Sequence, residues 1–307
     1  MKEEGKEMVA MDNLIAKAEV LVESLPYIRQ FAGKTFVIKY GGQAMVDETL
    51  KEKVMVDVIL LKYIGINPVL IHGGGKEISE WSGKLGIEPS FAQGLRVTDA
   101  ETMEVAEMVL SGKVNREIVS LINYHGGKAI GLNGRDANLL VARRLPPRSV
   151  VSEGREETVD LGYVGEVTSV NPEIINSLIH QDYIPVVSSI GIDPDTGKAL
   201  NINADSVAGD LASALQAEKM ILLTDVEGIK ADPDSDGGEL VSTLDNKTAQ
   251  DMINDGRISQ GMIPKVESCL QALENNVSRT HIIDGRVKHS LLLEIFTNKG
   301  IGTMVVQ

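Results

Sequence analysis

Short apolar runs alternate with longer amphipathic stretches along most of the chain. Six runs rich in Val, Ile and Leu predict β-strands, at residues 35–39, 68–72, 128–132, 183–187, 219–225 and 279–284. Several of these runs are continuously apolar rather than alternating, which is typical of strands that helices cover on both faces. Parallel strands need crossovers of a dozen or more residues, and the amphipathic stretches supply them. The pattern therefore predicts an α/β fold with an open, mostly parallel central sheet sandwiched between helices.

Two stretches depart from this alternation of predicted strands and helices. Residues 139–167 and 191–202 are β-rich and are broken by Pro-Pro, Glu-Gly and Asp-Thr-Gly sequences that favour turns. We interpret both stretches as β-hairpins, and we expect them to decorate one edge of the sheet.

The N-terminal segment has a different pattern. Leu14, Ala18, Leu21, Leu25 and Ile28 are spaced 4, 3, 4 and 3 residues apart, as in a helix that packs against a partner helix. Pro26 should kink the last turn of this helix. The spacing is equally compatible with a helix that packs on its own domain, so periodicity alone leaves both interpretations open.

Composition narrows the class of protein. The 307 residues can form a core without a covalent staple, and Cys269 is the only cysteine, so no intrachain disulfide can form. The net charge of −14 argues against a nucleic-acid partner. The first residues lack the apolar core of a signal peptide, and no run approaches the ~18 apolar residues of a membrane span. We therefore expect a cytoplasmic protein with no membrane or nucleic-acid partner.

Two predicted strands end in glycine-rich turns. One continues into Lys39-Tyr40-Gly41-Gly42 and the other into His72-Gly73-Gly74-Gly75. Glycines at such turns let backbone N–H groups approach an anion, and a following helix adds positive partial charge. Neither turn has the spacing of a dinucleotide fingerprint or a P-loop. Glycines required only for tight turns are the alternative for either loop alone, but two loops together with Lys39 favour a site for phosphate or carboxylate.

Two further segments carry polar residues near predicted helix starts. Asn201, Asn203 and Asp205 precede an amphipathic helical pattern, and Asp205 could simply be the N-cap of that helix. Asn201 lies on a predicted hairpin strand, so capping does not explain it. Lys265 lies near a predicted helix start, where a cation is mildly unfavourable, and this placement indicates a function.

These motifs together resemble the amino acid kinase superfamily and, within it, the acetylglutamate kinases. The matching segments follow the family's order across residues 34–307: KYGG (39–42), HGGG (72–75), GLRVTD (94–99), NINAD (201–205), LLTDVEGI (222–229) and GMIPK (261–265). Lys76 departs from the family pattern, which has proline there, and it adds a charge beside the glycine turn. The resemblance implies phosphorylation of N-acetyl-L-glutamate by ATP with Mg²⁺ in arginine biosynthesis. It also implies an acceptor-binding half at roughly 34–200 and a nucleotide-binding half at roughly 201–307.

The resemblance assigns roles to individual residues. It implies that the catalytic residues are Lys39, Gly42, Asp205 and Lys265. It implies that the acceptor is bound by Gly74, Gly75, Arg96 and Asn201. It implies that ATP is bound by Gly41, Asp225, Val226, Glu227, Gly228, Ile229, Lys230, Arg257, Ile258 and Ser259. No residue is assigned to a protein-bound metal. Because the attacking carboxylate is already ionised at neutral pH, no general base is needed, and we interpret His72 as structural.

The resemblance extends to the arginine-sensitive hexameric type. It implies that residues 1–33 form an oligomerisation helix that joins three dimers, and that L-arginine inhibits at a site made by Tyr27, Lys219, His281, Glu294 and Gly300. It leaves open whether a nitrogen-signalling regulator protein binds. Two alternatives remain: a kinase for glutamate or carbamate, and a catalytically silent arginine-sensing protein of the same fold. The intact Lys39, Asp205 and Lys265 argue against the silent protein.

Overall fold

The computed structural model describes residues 2–92, 95–152, 155–232, 238–259, 261–297 and 299–307. The α-helices are α1 Lys2–Glu23, α2 Leu25–Phe31, α3 Glu48–Tyr63, α4 Gly75–Lys84, α5 Ala100–Glu107, α6 Asn115–Tyr124, α7 Glu173–His180, α8 Ala204–Ala214, α9 Asn246–Asn254, α10 Ile263–Glu274 and α11 Ser290–Ile295. Short 3₁₀ turns cover Gly42–Met45 and Asp136–Asn138, and a π-helix, Met108–Val114, joins α5 to α6. None of the described helices is both long and apolar enough to cross a bilayer.

Eight strands form the central sheet. The strands of the chain are β1 Thr35–Tyr40, β2 Asn67–His72, β3 Ser90–Ala92, β4 Leu95–Val97, β5 Ala129–Asn133, β6 Leu140–Arg144, β7 Arg148–Ser152, β8 Arg155–Val159, β9 Val164–Val170, β10 Ile184–Ser188, β11 Ile190–Ile192, β12 Ala199–Ile202, β13 Lys219–Thr224, β14 Thr243–Asp245, β15 Arg279–Asp284 and β16 Thr303–Val306. The sheet order is β14-β16-β15-β13-β1-β2-β10-β5, and only the β15–β16 pair is antiparallel. All six strands predicted from apolar runs are in this sheet, so that prediction is confirmed.

The sheet separates two hydrophobic clusters. On β1, Phe36, Ile38 and Tyr40 belong to the cluster that includes α3, α5 and α6, whereas Val37 belongs to the cluster that includes α8, α9 and α10. Successive side chains of a strand point to opposite faces, so a strand covered on both faces is apolar at most of its central positions. The result is a three-layer α/β/α sandwich.

The hairpins are present, and four of their strands close into a small barrel that the sequence pattern did not predict. Strands β6, β9, β11 and β12 pair with one another in a small closed barrel, and β7 pairs with β8. These strands thus form sheets of their own, separate from the central sheet. The Pro-Pro and Asp-Thr-Gly turns lie between strands as predicted, whereas the predicted Glu-Gly turn at 153–154 lies outside the described residues.

The N-terminal helix breaks where Pro26 predicts a kink. Helix α1 ends at Glu23 and α2 begins at Leu25, with Pro26 in its first turn. Along this segment Leu14 is 58 % exposed, Leu21 71 % and Leu25 50 %. The apolar residues with the 4-3-4-3 spacing thus form a seam that largely faces solvent within this chain. This exposure disfavours the interpretation that the helix packs on its own domain.

A buried carboxylate joins α3 to α11. Asp57 of α3 is fully buried, and its Oδ1 lies 2.6 Å from Nδ1 of His289, which directly precedes α11. Burial raises the pKa of Asp57 to about 6, although His289 and Lys53 oppose this shift.

Candidate active site

The carboxyl ends of four neighbouring strands converge on one cleft. Strands β2, β1, β13 and β15 lie side by side and end next to Gly73, Gly41, Asp225 and Gly285. In open parallel sheets this edge is where ligands bind. The two glycine turns predicted as anion sites therefore lie together, on adjacent strands.

A buried aspartate lies between two lysines at the centre of the cleft. Asp205 Oδ1 is 3.0 Å from Lys39 Nζ, and its Oδ2 accepts a hydrogen bond from Lys265 Nζ at 2.6 Å. Asp205 is 4 % exposed. Burial on its own would raise the pKa of Asp205, but the two ammonium groups outweigh it and hold that pKa below the usual range. The carboxylate is thus ionised at neutral pH and fixes both lysines.

Local structure explains how these residues meet. Asn203, not Asp205, is the N-cap of α8, because its side chain accepts hydrogen bonds from the N–H groups of Asp205 and Ser206. The capping role considered for Asp205 is therefore wrong, and its side chain is free to face the lysines. Lys265 lies in the first turn of α10, which packs tightly on α8: a Cβ on Gly209 would be 3.2 Å from the Ser268 carbonyl oxygen.

The glycine turns approach other groups too closely for side chains. Gly42 has φ +72°, and a Cβ there would collide with the Asp225 carboxylate, which accepts a hydrogen bond from the Gln43 N–H. A Cβ on Gly41 would collide with the Lys39 ammonium. With Lys39 and Asp205, the two turns line a cavity of about 180 Å³.

A second cavity, of about 200 Å³, adjoins the first. It is lined by Arg96, Asn201 and the 73–75 turn, and both cavities share that turn, Asn203 and Ala204. Arg96 is 7 % exposed, and its Nη2 donates to the Gly75 carbonyl and to Ser79 Oγ, both at 2.7 Å. Among the described residues, its buried Nη1 has no hydrogen-bond partner and its guanidinium has no acidic partner. This buried cation is suited to a carboxylate ligand.

The predicted nucleotide residues surround a cleft of about 300 Å³. Residues 225–230 and 257–259 line it, the set that the resemblance assigns to ATP, while Gly41 lines the cavity of about 180 Å³ instead. Two further lining residues, Met262 and Arg286, were missed. Arg286 is held by a forked pair with Asp284, with contacts of 2.8–3.2 Å. Its position just after the carboxyl end of β15 was a signal that sequence reasoning did not use.

The residues assigned to arginine form a separate buried cluster. Lys219 Nζ is 3.0 Å from His281 Nε2, and His281 Nδ1 is 2.7 Å from Glu294 Oε1. Glu294 Oε2 accepts from the N–H groups of Ile301 and Gly302, and a Cβ on Gly300 would be 2.6 Å from it. Lys219 pairs in register with Phe36, three residues before Lys39, so the cluster lies about 10 Å along the strands from Lys39.

Charge and aromatic packing complete this cluster. Burial is the main cause that lowers the pKa of Lys219 to about 8. Tyr27 packs edge-on against Phe296, which directly follows α11, with ring centroids 6.2 Å apart. The N-terminal segment therefore packs beside the end of α11, the helix that contains Glu294.

Comparison with known proteins agrees with this architecture. A model of the amino acid kinase family matches residues 34–284. The acetylglutamate kinase of Pelotomaculum thermopropionicum is 56 % identical over 94 % of this chain and 97 % of that protein. That of Moorella thermoacetica is also 56 % identical, over 95 % of this chain and 98 % of that protein.

Solved structures show the same fold. The N-acetylglutamate synthase of Neisseria gonorrhoeae, complexed with coenzyme A and N-acetyl-glutamate, matches with a TM-score of 0.80 at 29 % identity, covering 94 % of this chain. This chain spans 63 % of that structure's length. Carbamate kinase of Giardia matches with a TM-score of 0.63 at 15 % identity, over 90 % of this chain and 99 % of that one, which supports the fold alone. The chain therefore belongs to the amino acid kinase family and, within it, to the acetylglutamate kinases.

Proposed function

We propose that the protein transfers the γ-phosphoryl group of ATP to the side-chain carboxylate of N-acetyl-L-glutamate, as the second step of arginine synthesis. The observation that carries this proposal is the continuity of the two small cavities. One is lined by the buried Arg96, which suits an α-carboxylate, and the other is lined by Lys39 and by Asp205, which also bonds Lys265. An acceptor held by Arg96 would thus direct its other end at the two lysines. Such an ATP-consuming biosynthetic enzyme would work in the cytoplasm.

The chemistry needs charge stabilisation rather than a base. A glutamyl side chain has a pKa of about 4.3, so at neutral pH its carboxylate attacks the γ-phosphorus directly. A new O–P bond forms, the bond to the β–γ bridging oxygen breaks, and ADP leaves with the electron pair. Lys39 and Lys265 would neutralise charge on the transferring group, and the N–H groups of Gly41 and Gly42 would add donors. Asp205 orients both lysines, and its lowered pKa makes it unsuitable as an acid.

We propose that Mg²⁺ arrives bound to the phosphates of the nucleotide. The described residues include no group of three His, Cys, Asp or Glu side chains that could hold an ion without phosphate. Mg²⁺ is commonly bound by substrate phosphates and only one or two carboxylates. When bound, Mg²⁺ would supply further positive charge to the phosphate oxygens.

We also propose that L-arginine inhibits the enzyme at the Lys219–His281–Glu294 cluster and that the chain assembles as a hexamer, a trimer of dimers. A buried carboxylate such as Glu294 can accept a forked pair from a guanidinium. The exposed apolar seam of α1 and α2 supports contact with a second copy through residues 1–33. Because Tyr27 packs against Phe296, next to α11, arginine bound at this cluster would change the arrangement of neighbouring subunits.

A coupled assay of ADP release tests the catalytic proposal. With equal enzyme, acetylglutamate should be turned over, whereas glutamate and carbamate should show a kcat/KM at least ~100-fold lower, because each leaves part of the acceptor cavity unpaired. Preference for glutamate or carbamate would overturn the proposal in favour of a kinase for another acid. Absence of turnover with all three, together with arginine binding by calorimetry, would indicate the silent arginine sensor.

A further inference from the structure

The imidazole of His72 is the last side chain of β2 before the 73–75 turn. It is fully buried, and burial lowers its pKa to about 4, so the ring is neutral at physiological pH. A neutral imidazole carries one proton and one lone pair, and its neighbours decide which nitrogen has which. His72 Nδ1 is 2.9 Å from the carbonyl oxygen of Gly73, and its Nε2 is 3.1 Å from Nδ2 of Asn115.

The surroundings of Asn115 decide the orientation of its amide. Nδ2 is 2.9 Å from the Val186 carbonyl, which can only accept, and Arg116 Nη2, which can only donate, is 2.9 Å from Oδ1. The amide nitrogen must therefore face Val186 and His72. Because that nitrogen is a donor, His72 Nε2 must accept, and the single ring proton lies on Nδ1, where it is donated to the Gly73 carbonyl.

This chain of hydrogen bonds orients the acceptor turn. The Gly73 carbonyl and the Gly74 N–H belong to one planar trans peptide, so they point in opposite directions. Holding the carbonyl against His72 therefore turns the Gly74 N–H away from the imidazole. No described residue accepts a hydrogen bond from that N–H, and Gly74 lines both small cavities, so this donor is available to a ligand.

The π-helix brings Asn115 and two apolar side chains to the same turn. Residues Met108–Val114 are π-helical, and Asn115 follows directly. One extra residue in a helix rotates every later side chain by about 100° around the axis. A Cβ on Gly74 would be 2.7 Å from Leu110 Cδ2 and 3.3 Å from Val114 Cγ2. The turn is thus packed by the π-helix on one side and held by His72 on the other.

We propose that Asn115 is a positioning residue that orients the acceptor turn through the His72 ring. This inference rests on the function proposed above, because it assigns the 73–75 turn to the acceptor. Asn115 itself lines neither of the two small cavities. Its side chain hydrogen-bonds to His72, to Arg116 and to the backbone carbonyls of Leu132 and Val186.

The first test is spectroscopic and needs no activity. Nitrogen-15 labelling of the five histidines and a long-range proton–nitrogen spectrum report which ring nitrogen of His72 is protonated. We expect protonated Nδ1 and bare Nε2 throughout pH 6–8, with His72→Asn used for assignment. Protonation at Nε2 in the wild type would overturn the proposal, whatever the enzyme phosphorylates.

The second test uses Asn115→Asp, which keeps the size and the acceptor for Arg116 but cannot donate to His72. The matched control is Asn123→Asp. Asn123 is on the same helix, and its side-chain amide hydrogen-bonds to the backbone of Ala129, far from the 73–75 turn. We expect kcat/KM for acetylglutamate to fall tenfold or more in Asn115→Asp, while the KM for ATP stays within twofold of the wild-type value. The His72 tautomer protonated at Nε2 should be favoured in this variant.

The control should keep the wild-type kinetics. Equal kinetics in the two variants would overturn the positioning role. Should the wild type phosphorylate another acid instead, the proposed function fails, and the same comparison made with that acid still decides the role of Asn115.

Discussion

Replacing Lys265 by alanine tests the assignment of the catalytic lysines most directly. Its Nζ is 2.6 Å from Asp205 Oδ2, while Lys39 remains 3.0 Å from the other oxygen. The variant therefore removes one of two positive charges and leaves the carboxylate with a partner. An oriented donor that acts on transition-state charge is typically worth ~3 kcal/mol or more. At about 1.36 kcal/mol per factor of ten, kcat should fall at least ~100-fold.

The stability cost should be smaller than for a fully orphaned charge. Leaving a buried ion without any partner costs ~3–5 kcal/mol, but Asp205 keeps Lys39, so we expect ~1–2 kcal/mol. The pKa of Asp205 should move back toward its ordinary value, because one of the two charges that lower it is gone. Urea unfolding measures the change in the free energy of unfolding independently of catalysis.

The assay is steady-state ADP release with saturating acetylglutamate and varied ATP. Lys62→Ala is the matched control, because Lys62 is also largely buried and pairs with Asp182 at 3.3 Å, away from the cleft. It should lose some stability and keep its kinetics. The reasoning is refuted if Lys265→Ala raises only the KM for ATP and keeps kcat within about threefold of the wild type.

Three further outcomes are expected. Arg96→Lys should raise the KM for acetylglutamate far more than that for ATP, because lysine cannot form a forked pair; steady-state kinetics showing the reverse would move Arg96 to the nucleotide side. Deleting residues 1–28 should leave an active dimer that ignores arginine, and Glu294→Ala should keep the hexamer but lose inhibition; a hexameric deletion variant in light scattering would contradict this. Asp57 has a folded-state pKa of about 6 against an ordinary 3.8, so the wild type loses stability as pH rises through that interval. Relative to the wild type, Asp57→Asn should gain ~2–3 kcal/mol between pH 4 and pH 7 in urea unfolding, whereas a constant difference would exclude the titration.

Local pattern was sufficient for the framework of the fold. The centre of the strand at 219–225, Met220 to Leu223, is continuously apolar because helices cover both faces of the sheet, and a run of that kind is recognisable without any contact information. The break at Pro26 follows from a ring that cannot donate a backbone hydrogen bond, which is also a local property. The two glycine turns followed from the same kind of reasoning.

Roles that depend on distant contacts were not readable in the same way. The spacing around Asp205 was compatible with a helix cap, and only the position of Asn203 and of two lysines, 166 and 60 residues away, excludes it. The hairpins were recognised from their turns, but turns do not specify which strands pair, so the barrel was missed. Residue roles taken from family resemblance remain proposals, although residues 225–230 and 257–259, which the resemblance assigns to ATP, do line one cleft.

The sequence by itself determined six of the eight strands of the central sheet, the glycine turns at the ends of β1 and β2, and the kinked N-terminal helix. These features depend on periodicity and on backbone restrictions that act over a few residues. Only the tertiary structure decided that His72, Asn115 and Val186 form one hydrogen-bonded chain, and that Arg286 lines the same cleft as residues 225–230 and 257–259. Those residues lie on separate elements, and the direction of a buried hydrogen bond depends on which donors and acceptors the packing brings within about 3 Å.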